Sequence, residues 1–446
     1  MFEIAFYEKE ITPPLGSGIP GYFSLRRSCD VLDRLYARAI VVKSGDERIA
    51  ILSIDGLHPH KDICDAIAER ITSHTKIARE NIMIAVTHSH TAGPFSRNDK
   101  VVFENDEIIA DATKGYIDVF TRLAADCVTL ANMRLKKASF YFGKGQVEGI
   151  SFCRDYFMKN GTPQTNPPRT SPEIIKGVTE SDKELPVLMI KDDSERPMGA
   201  IIGFACHADC VSGEKLTGDY VSILCKELKK AYGEDFVTIF LLGCSGDVNH
   251  FDVSKKIDAD DHYVMMGKKL AAETLKVADG AAKLKDTKIS SQLEYITIPR
   301  VELQREKIEE ARNIIATIKE KKGVKISADN TDPEQYKLAM AKRLVSFIDS
   351  TPEKFDVPVQ CIQLGEFTIY GFNSEIFTEF GKIVKKGDGT GINLVATLCN
   401  EAFGYVPTRD MFYDTIYESR PGSNQLDKEA GYIMAEKLIS MKKKDK

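Results

Sequence analysis

The chain has no tryptophan and only 8 histidines among its 446 residues, so histidines that share a local geometry stand out against a thin background. No apolar run approaches the roughly 20 residues that an α-helix needs to span a bilayer, which speaks against a membrane span. The 10 cysteines contain no CxxC pair, and several, such as Cys127, Cys225 and Cys361, sit inside apolar patterns where a buried thiol is the default. A disulfide framework is not expected, and a reducing, cytoplasmic setting is. The first ten residues show no basic stretch followed by an apolar one, so no secretory signal is expected. Charge of one sign is also missing: 61 Lys and Arg face 66 Asp and Glu, a formal net charge of -5, which leaves no footprint for nucleic acid or an anionic membrane. The one basic run, Lys442-Lys443-Lys444 with Lys446, reads as a solvated tail. Flexible Gly/Ser linkers, internal repeats and low-complexity tracts are absent too.

What is present is an ordinary globular composition, 43% hydrophobic and 28% charged, on a chain long for one core. Apolar runs predict strands over residues 3–7, 36–43, 48–53, 82–86, 138–147, 185–191, 199–206, 237–242, 289–298, 358–365, 368–372 and 393–398. Amphipathic spacing predicts helices over 63–71, 108–135, 221–232, 261–276, 302–322, 376–385 and 427–441. This alternation predicts an α/β protein with mixed β-sheets flanked by helices. It is read as one unit over 1–446, with a subdivision near residue 286 as the alternative. Residues 155–179 read as a polar, Pro-rich loop, and 323–333 as a polar break.

Several apolar runs end on chemistry-bearing side chains: Asp55, His88 with His90, His207, and Asp247 with Asn249. Ligand sites collect beyond the carboxyl ends of strands in sheets interleaved with helices. In Thr87-His88-Ser89-His90-Thr91-Ala92-Gly93-Pro94 an extended backbone would turn both imidazoles to one side and Ser89 to the other. Two imidazoles facing one space can share a metal, or one can bind it while the other handles protons. Ordinary loop-end histidines bonded to backbone are the plain alternative. Cys206 and Cys210 around His207, and His250 with Asp252 and His262, are two further sets that spacing allows as metal sites. Capping of the turn is the plainer role for His250 and Asp252.

Ile11-Thr12-Pro13-Pro14-Leu15-Gly16, Leu35-Tyr36-Ala37-Arg38-Ala39, the His-x-His stretch, Phe204-Ala205-Cys206-His207, Gly246-Asp247-Val248-Asn249 and Gly404-Tyr405-Val406-Pro407-Thr408 occur in this order. Together they make the chain similar to the neutral/alkaline non-lysosomal ceramidase family. The resemblance implies a hydrolase with one Zn2+ bound by His88, His207, Glu375 and Tyr405, cleaving the amide of a small-molecule, N-acylated substrate. It also implies that His90 faces the substrate carbonyl, that Tyr417, twelve positions after Tyr405 (417 − 405), lies near the scissile bond, and that Arg154 borders the active site. Zinc of this kind lowers the pKa of a bound water to about 7.

Without the resemblance, Tyr405 would read as a core or turn aromatic. Glu375 would read as a first-turn helix glutamate, with Ser374 as N-cap. Four departures stand out: no secretion signal, no C-terminal β-sandwich domain, Asn249-His250 after Gly246-Asp247-Val248 where the family often has Ser-Pro, and Phe95-Ser96-Arg97-Asn98 where the family is glycine-rich. They point to a linear amide of a small or moderately sized molecule. Hydrolysis of an ester or lactone at the same site, and a non-catalytic binding protein that retains the fold, are the alternatives.

Overall fold

The computed structural model describes residues 2–22, 26–94, 96, 107–256, 261–321 and 332–442. The expectations placed on Phe95, Arg97 and Asn98, on most of the 323–333 break and on Lys443, Lys444 and Lys446 lie outside the described residues.

The larger sheet has eight principal strands: β1 (Phe2–Glu10), β2 (Tyr36–Ser44), β3 (Glu47–Ile54), β4 (Ile82–Val86), β5 (Lys136–Gln146), β6 (Glu184–Asp192), β7 (Pro197–Phe204) and β8 (Val237–Leu242). They lie in the order β8-β7-β6-β5-β1-β2-β3-β4. The neighbours at each end, β7 with β8 and β3 with β4, are parallel, and the pairs between them are antiparallel. The parallel pairs follow from their crossovers, helix α1 (Lys61–His74) between β3 and β4 and helix α3 (Asp219–Tyr232) between β7 and β8. Helices α2 (Glu107–Asn132) and α4 (His262–Asp279) complete this layer. A second sheet carries β9 (Ile289–Pro299), β10 (Lys354–Leu364), β11 (Phe367–Gly371) and β12 (Asn393–Ala396) in sequence order. Helices α5 (Arg305–Thr317), α6 (Pro333–Ser350), α7 (Thr378–Asp388) and α8 (Ala430–Met441) accompany it.

Side-chain alternation sorts the core into layers. Along β3, Ala50, Leu52 and Ile54 join a cluster with Ile67, Phe120 and Leu224 of the first helices. Ile49 and Ile51 point the other way and pack with Ile362, Phe367 and Ile369 of the second sheet. The far face of that second sheet, through Val357, Val359 and Tyr370, meets Phe380 of α7 and Met434 of α8. The result is a four-layer arrangement of helices, sheet, sheet and helices, in keeping with the α/β expectation. Strands β3 and β4 are buried on both faces, which is why they read as continuous apolar runs. The chain passes to the second sheet near residue 286, yet the two sheets share one cluster. Truncating Leu52 to Ala in this packing would cost about 2–5 kcal/mol.

The sheet also curls. Ser53 Oγ on β3 donates to the Phe240 carbonyl on β8, 2.6 Å away, although β8 is at the far end of the strand order. This brings the carboxyl ends of β4, β7 and β8 together.

Two expectations are corrected. Residues 155–179 are not an unstructured loop but hold a small three-stranded sheet of Asp155–Met158, Pro163–Thr165 and Ile174–Gly177. Its strands are too short to give a periodic signal. The helix expected from residue 376 starts at Thr378, with Phe377 and not Ser374 as its N-cap.

Candidate metal centre and active site

Beyond β4 the chain does not stay extended: His88 adopts a left-handed backbone, φ 65°. Such a conformation costs of order 1–3 kcal/mol for a non-glycine residue and persists only where the surroundings enforce it. Here His88 Nδ1 bonds the Leu57 carbonyl at 2.9 Å, Ser89 Oγ donates to the Thr217 carbonyl at 2.7 Å, and the His90 amide donates to the Ala208 carbonyl. The two imidazoles face one space, their ring centroids 4.9 Å apart, through this left-handed step and not through strand alternation.

His207, beyond β7, is held the same way, with Nδ1 2.9 Å from the Ser245 carbonyl. A carbonyl only accepts, so Nδ1 of both rings carries the proton and Nε2 of the neutral ring carries the lone pair. Both Nε2 atoms lie 3.2 Å from the same oxygen, Oε2 of Glu375. His90 Nε2 lies 3.4 Å from His88 Nε2, and His58 Nε2 lies 3.0 Å from Glu375 Oε1. Lone pairs aimed at a carboxylate repel unless a proton or a cation sits among them.

Burial and neighbouring charges act on the same groups. Burial pushes the Glu375 carboxyl up, but His88, His207 and His58 outweigh it and hold it well below the usual carboxylate range. Burial also opposes the charged form of His88, but Glu375 outweighs it and raises this ring. His207 is lowered to about 4 by burial and by the nearby Arg154 guanidinium. Burial, then the charges of His88 and His207, hold His90 well below its ordinary value. The cluster thus keeps Glu375 charged and His207 and His90 neutral, so imidazole nitrogens border an anionic carboxylate. Neutral imidazoles with a carboxylate are a donor set that suits zinc.

The carboxylate side is a parallel pair of two-residue strands, Glu375–Ile376 against Tyr405–Val406. Glu375 is therefore not a first-turn helix residue as its sequence context suggests. Gly246 permits the approach of the β8 loop: its amide donates to the Ile376 carbonyl at 2.8 Å, and a Cβ there would meet the Glu375 carbonyl oxygen at 2.5 Å. Gly404 turns the chain into Tyr405 with φ 74°. Asp247 accepts from the Thr378 amide and hydroxyl at 2.8 and 2.7 Å, pinning the start of α7 just after Glu375.

The Tyr405 ring lies parallel to His207, centroids 6.4 Å apart, and the Arg154 guanidinium sits 4.8 Å above it. Arg154 also reaches His207 Nε2 at 3.3 Å and forms a buried ion pair with Glu418. The Tyr417 ring is 5.8 Å from Tyr405, and its hydroxyl accepts from Arg343 at 2.9 Å.

So His88, His90, His207 and Glu375 come together, with Tyr405, Arg154 and Tyr417 on their border. Other strand-end residues do not join them. Asp55 is locked by Arg38 at 2.9 and 3.0 Å and accepts the Tyr36 amide at 2.8 Å. Asn249 caps its own turn through the His250 amide. Sequence reasoning missed His58, although Asp55-Gly56-Leu57-His58-Pro59-His60 is a second His-x-His at a strand end. It also missed Asp209, whose carboxyl accepts from Tyr22 at 2.8 Å, lies 3.7 Å from His90 and is pushed up to about 7 by burial.

A cavity of about 610 Å3 opens between α5, α6 and the segment that carries Tyr417. Ile308, Ile314, Met340, Leu344 and Phe412 line it, with Arg343 between the cavity and Tyr417. The histidines are not among its lining residues. Among the described residues no helix is long and apolar enough to cross a membrane.

The family model for neutral/alkaline non-lysosomal ceramidase, N-terminal, matches residues 4–250, which hold His88, His90, Arg154 and His207. The crystal structure of neutral ceramidase from Pseudomonas aeruginosa is similar in fold, with a TM-score of 0.71 at 17% identity, over 99% of this chain and 74% of that one. A structure of a ceramidase complexed with C2 has a TM-score of 0.71 at 16% identity, over the same shares of both chains. Curated protein sequences give no significant match. With the sequence match extending over more than half of its length, the chain belongs to the neutral/alkaline non-lysosomal ceramidase family.

Proposed function

We propose that the chain is a zinc-dependent hydrolase of a linear amide, with His88, His207, Glu375 and Tyr405 holding the ion. Membership of the ceramidase family supports amide hydrolysis in general. The observation that carries the metal reading is the convergence of two Nε2 atoms on one Glu375 oxygen, each 3.2 Å away. Zinc bound there would supply a Lewis acid for the carbonyl and acidify a water.

The remaining chemistry falls to the chain's own groups. His90 is kept neutral by burial and by the charges of His88 and His207, which leaves a ring nitrogen to take a proton and deliver it to the leaving amine. Tyr417, with Arg343 on its acceptor side, donates toward the carbonyl oxygen as negative charge grows there. Arg154 orients His207 and Tyr405 from its anchor on Glu418. The apolar cavity beyond Arg343 favours a substrate with an apolar substituent on the acyl or amine side.

The test is metal analysis of the purified protein alongside a panel of N-acyl and O-acyl compounds matched in acyl chain. Stoichiometric zinc that disappears in His88→Ala and His207→Ala, with turnover of the N-acyl series, is the expected result. No zinc, with activity indifferent to both substitutions, overturns it, and turnover restricted to O-acyl compounds moves the reaction to esters.

A further inference from the structure

A second donor cluster lies on the other side of the His207 loop. Cys210, His250 and His262 each offer a ligand atom, all within 4.8 Å of one another. Tetrahedral ligands bound at about 2.0–2.3 Å from an ion sit roughly 3.3–3.8 Å apart, so small side-chain rotations close the set. Met266 adds a thioether 3.3 Å from Cys210 Sγ. His250 and Met266 are buried, and Cys210 and His262 are half-buried. His262 Nε2 lies 2.9 Å from the His250 carbonyl, which only accepts, so Nε2 carries the proton and Nδ1 is the coordinating atom. This is the outer-shell bond that metal-binding histidines commonly make. The cluster differs from the one that sequence spacing suggested: Asp252 turns away to the Ser254 amide and hydroxyl, and Cys206 to the Ile150 carbonyl.

We propose that Cys210, His250, His262 and Met266 form a second metal site for a thiophilic d10 cation, Zn2+ or Cu+. Thiolate, thioether and imidazole are soft or borderline donors, and there is no carboxylate among them to favour Mg2+ or Ca2+. With the thiolate as the single negative charge, Cu+ gives a neutral site and Zn2+ one positive charge. The ligands come from three elements: the loop after His207, the loop after Val248–Asn249, and the first turns of α4. A bound ion ties these together and braces the loops that carry His207 and Ser245. Its role is structural, and it stands independently of the amide-hydrolase reading.

Cobalt substitution of the full chain tests this. None of the histidine-centre donors is sulfur, so a thiolate-to-cobalt charge-transfer band reports the second site alone. The expected result is such a band in the wild type, lost in Cys210→Ser, weakened in His262→Gln, and displaced by Zn2+ or Cu+ but not by Mg2+. Stronger displacement by Cu+ that Met266→Leu reduces identifies copper; displacement by Zn2+ that Met266→Leu leaves unchanged identifies zinc. No band in the wild type, or a band that persists in Cys210→Ser, overturns the proposal, and the wild-type measurement does not depend on whether either variant folds.

Discussion

The two halves of the histidine centre rest on different foundations. His88 and His207 extend from β4 and β7, strands buried on both faces, and each ring is fixed by a backbone carbonyl. Glu375 and Tyr405 sit on strands two residues long, held by Asp247, by Gly246 against the Ile376 carbonyl, and by Ser374, whose Oγ accepts the Phe403 amide. One half is set by long strands, the other by two-residue strands whose Ile376 and Val406 enter the core beside a few polar contacts. The first half should therefore behave as all or none, and the second should respond in graded steps.

The largest expected effect lies in the half built on long strands. His88→Ala or His207→Ala should abolish stoichiometric zinc and lower kcat/KM by about 10³-fold or more, read by metal analysis and steady-state kinetics. Next, His90→Ala should keep the metal while kcat falls about 10²–10⁴-fold, the range of a lost acid-base group. Metal loss in that variant would break the division of labour between His88 and His90.

Smaller steps belong to the half built on two-residue strands. Asp247→Asn leaves His88 and His207 in place but loosens the start of α7, and zinc affinity should drop about 10–100-fold in a chelator competition. A loss as complete as that of His207→Ala would show that the two halves are equally rigid. The smallest effect concerns the loop leading to Tyr405. Burial, opposed by Lys61, pushes the Glu401 carboxyl up to about 7 from its ordinary 4.5. Between those values the folded chain binds more protons than the unfolded one, so stability contributed here is full below the lower value and declines as pH rises through the upper. Thermal melts from pH 5 to 8 should show a shallower decline in Glu401→Gln, and an unchanged slope would remove Glu401 as its source.

The same contrast governs what sequence could reveal. Strands β3, β4, β7 and β8 are legible because two-sided burial writes an apolar run that stops abruptly where the histidines and Asp247 begin. Periodicity is silent about Glu375 and Tyr405, because a two-residue strand has no period; only likeness to a family pointed to them. The same silence made residues 155–179 look like a loop. Asp55 shows the opposite error: it has the position of a functional residue, and its partner Arg38 makes it structural. His58 was readable from its His-x-His spacing, but its partner Glu375 lies 317 residues away, a pairing that only the folded chain displays. The curl that joins Ser53 to Phe240 is likewise invisible in either strand alone.

That curl has a bearing on synthesis. Ribosomes deliver the chain from its amino end, so His88 emerges first, yet the sheet cannot close on β8 until about 240 residues have emerged, and Glu375 and Tyr405 come later still. Contacts between such distant positions form slowly. The centre therefore cannot close before Glu375 and Tyr405 have emerged, long after the imidazoles they join.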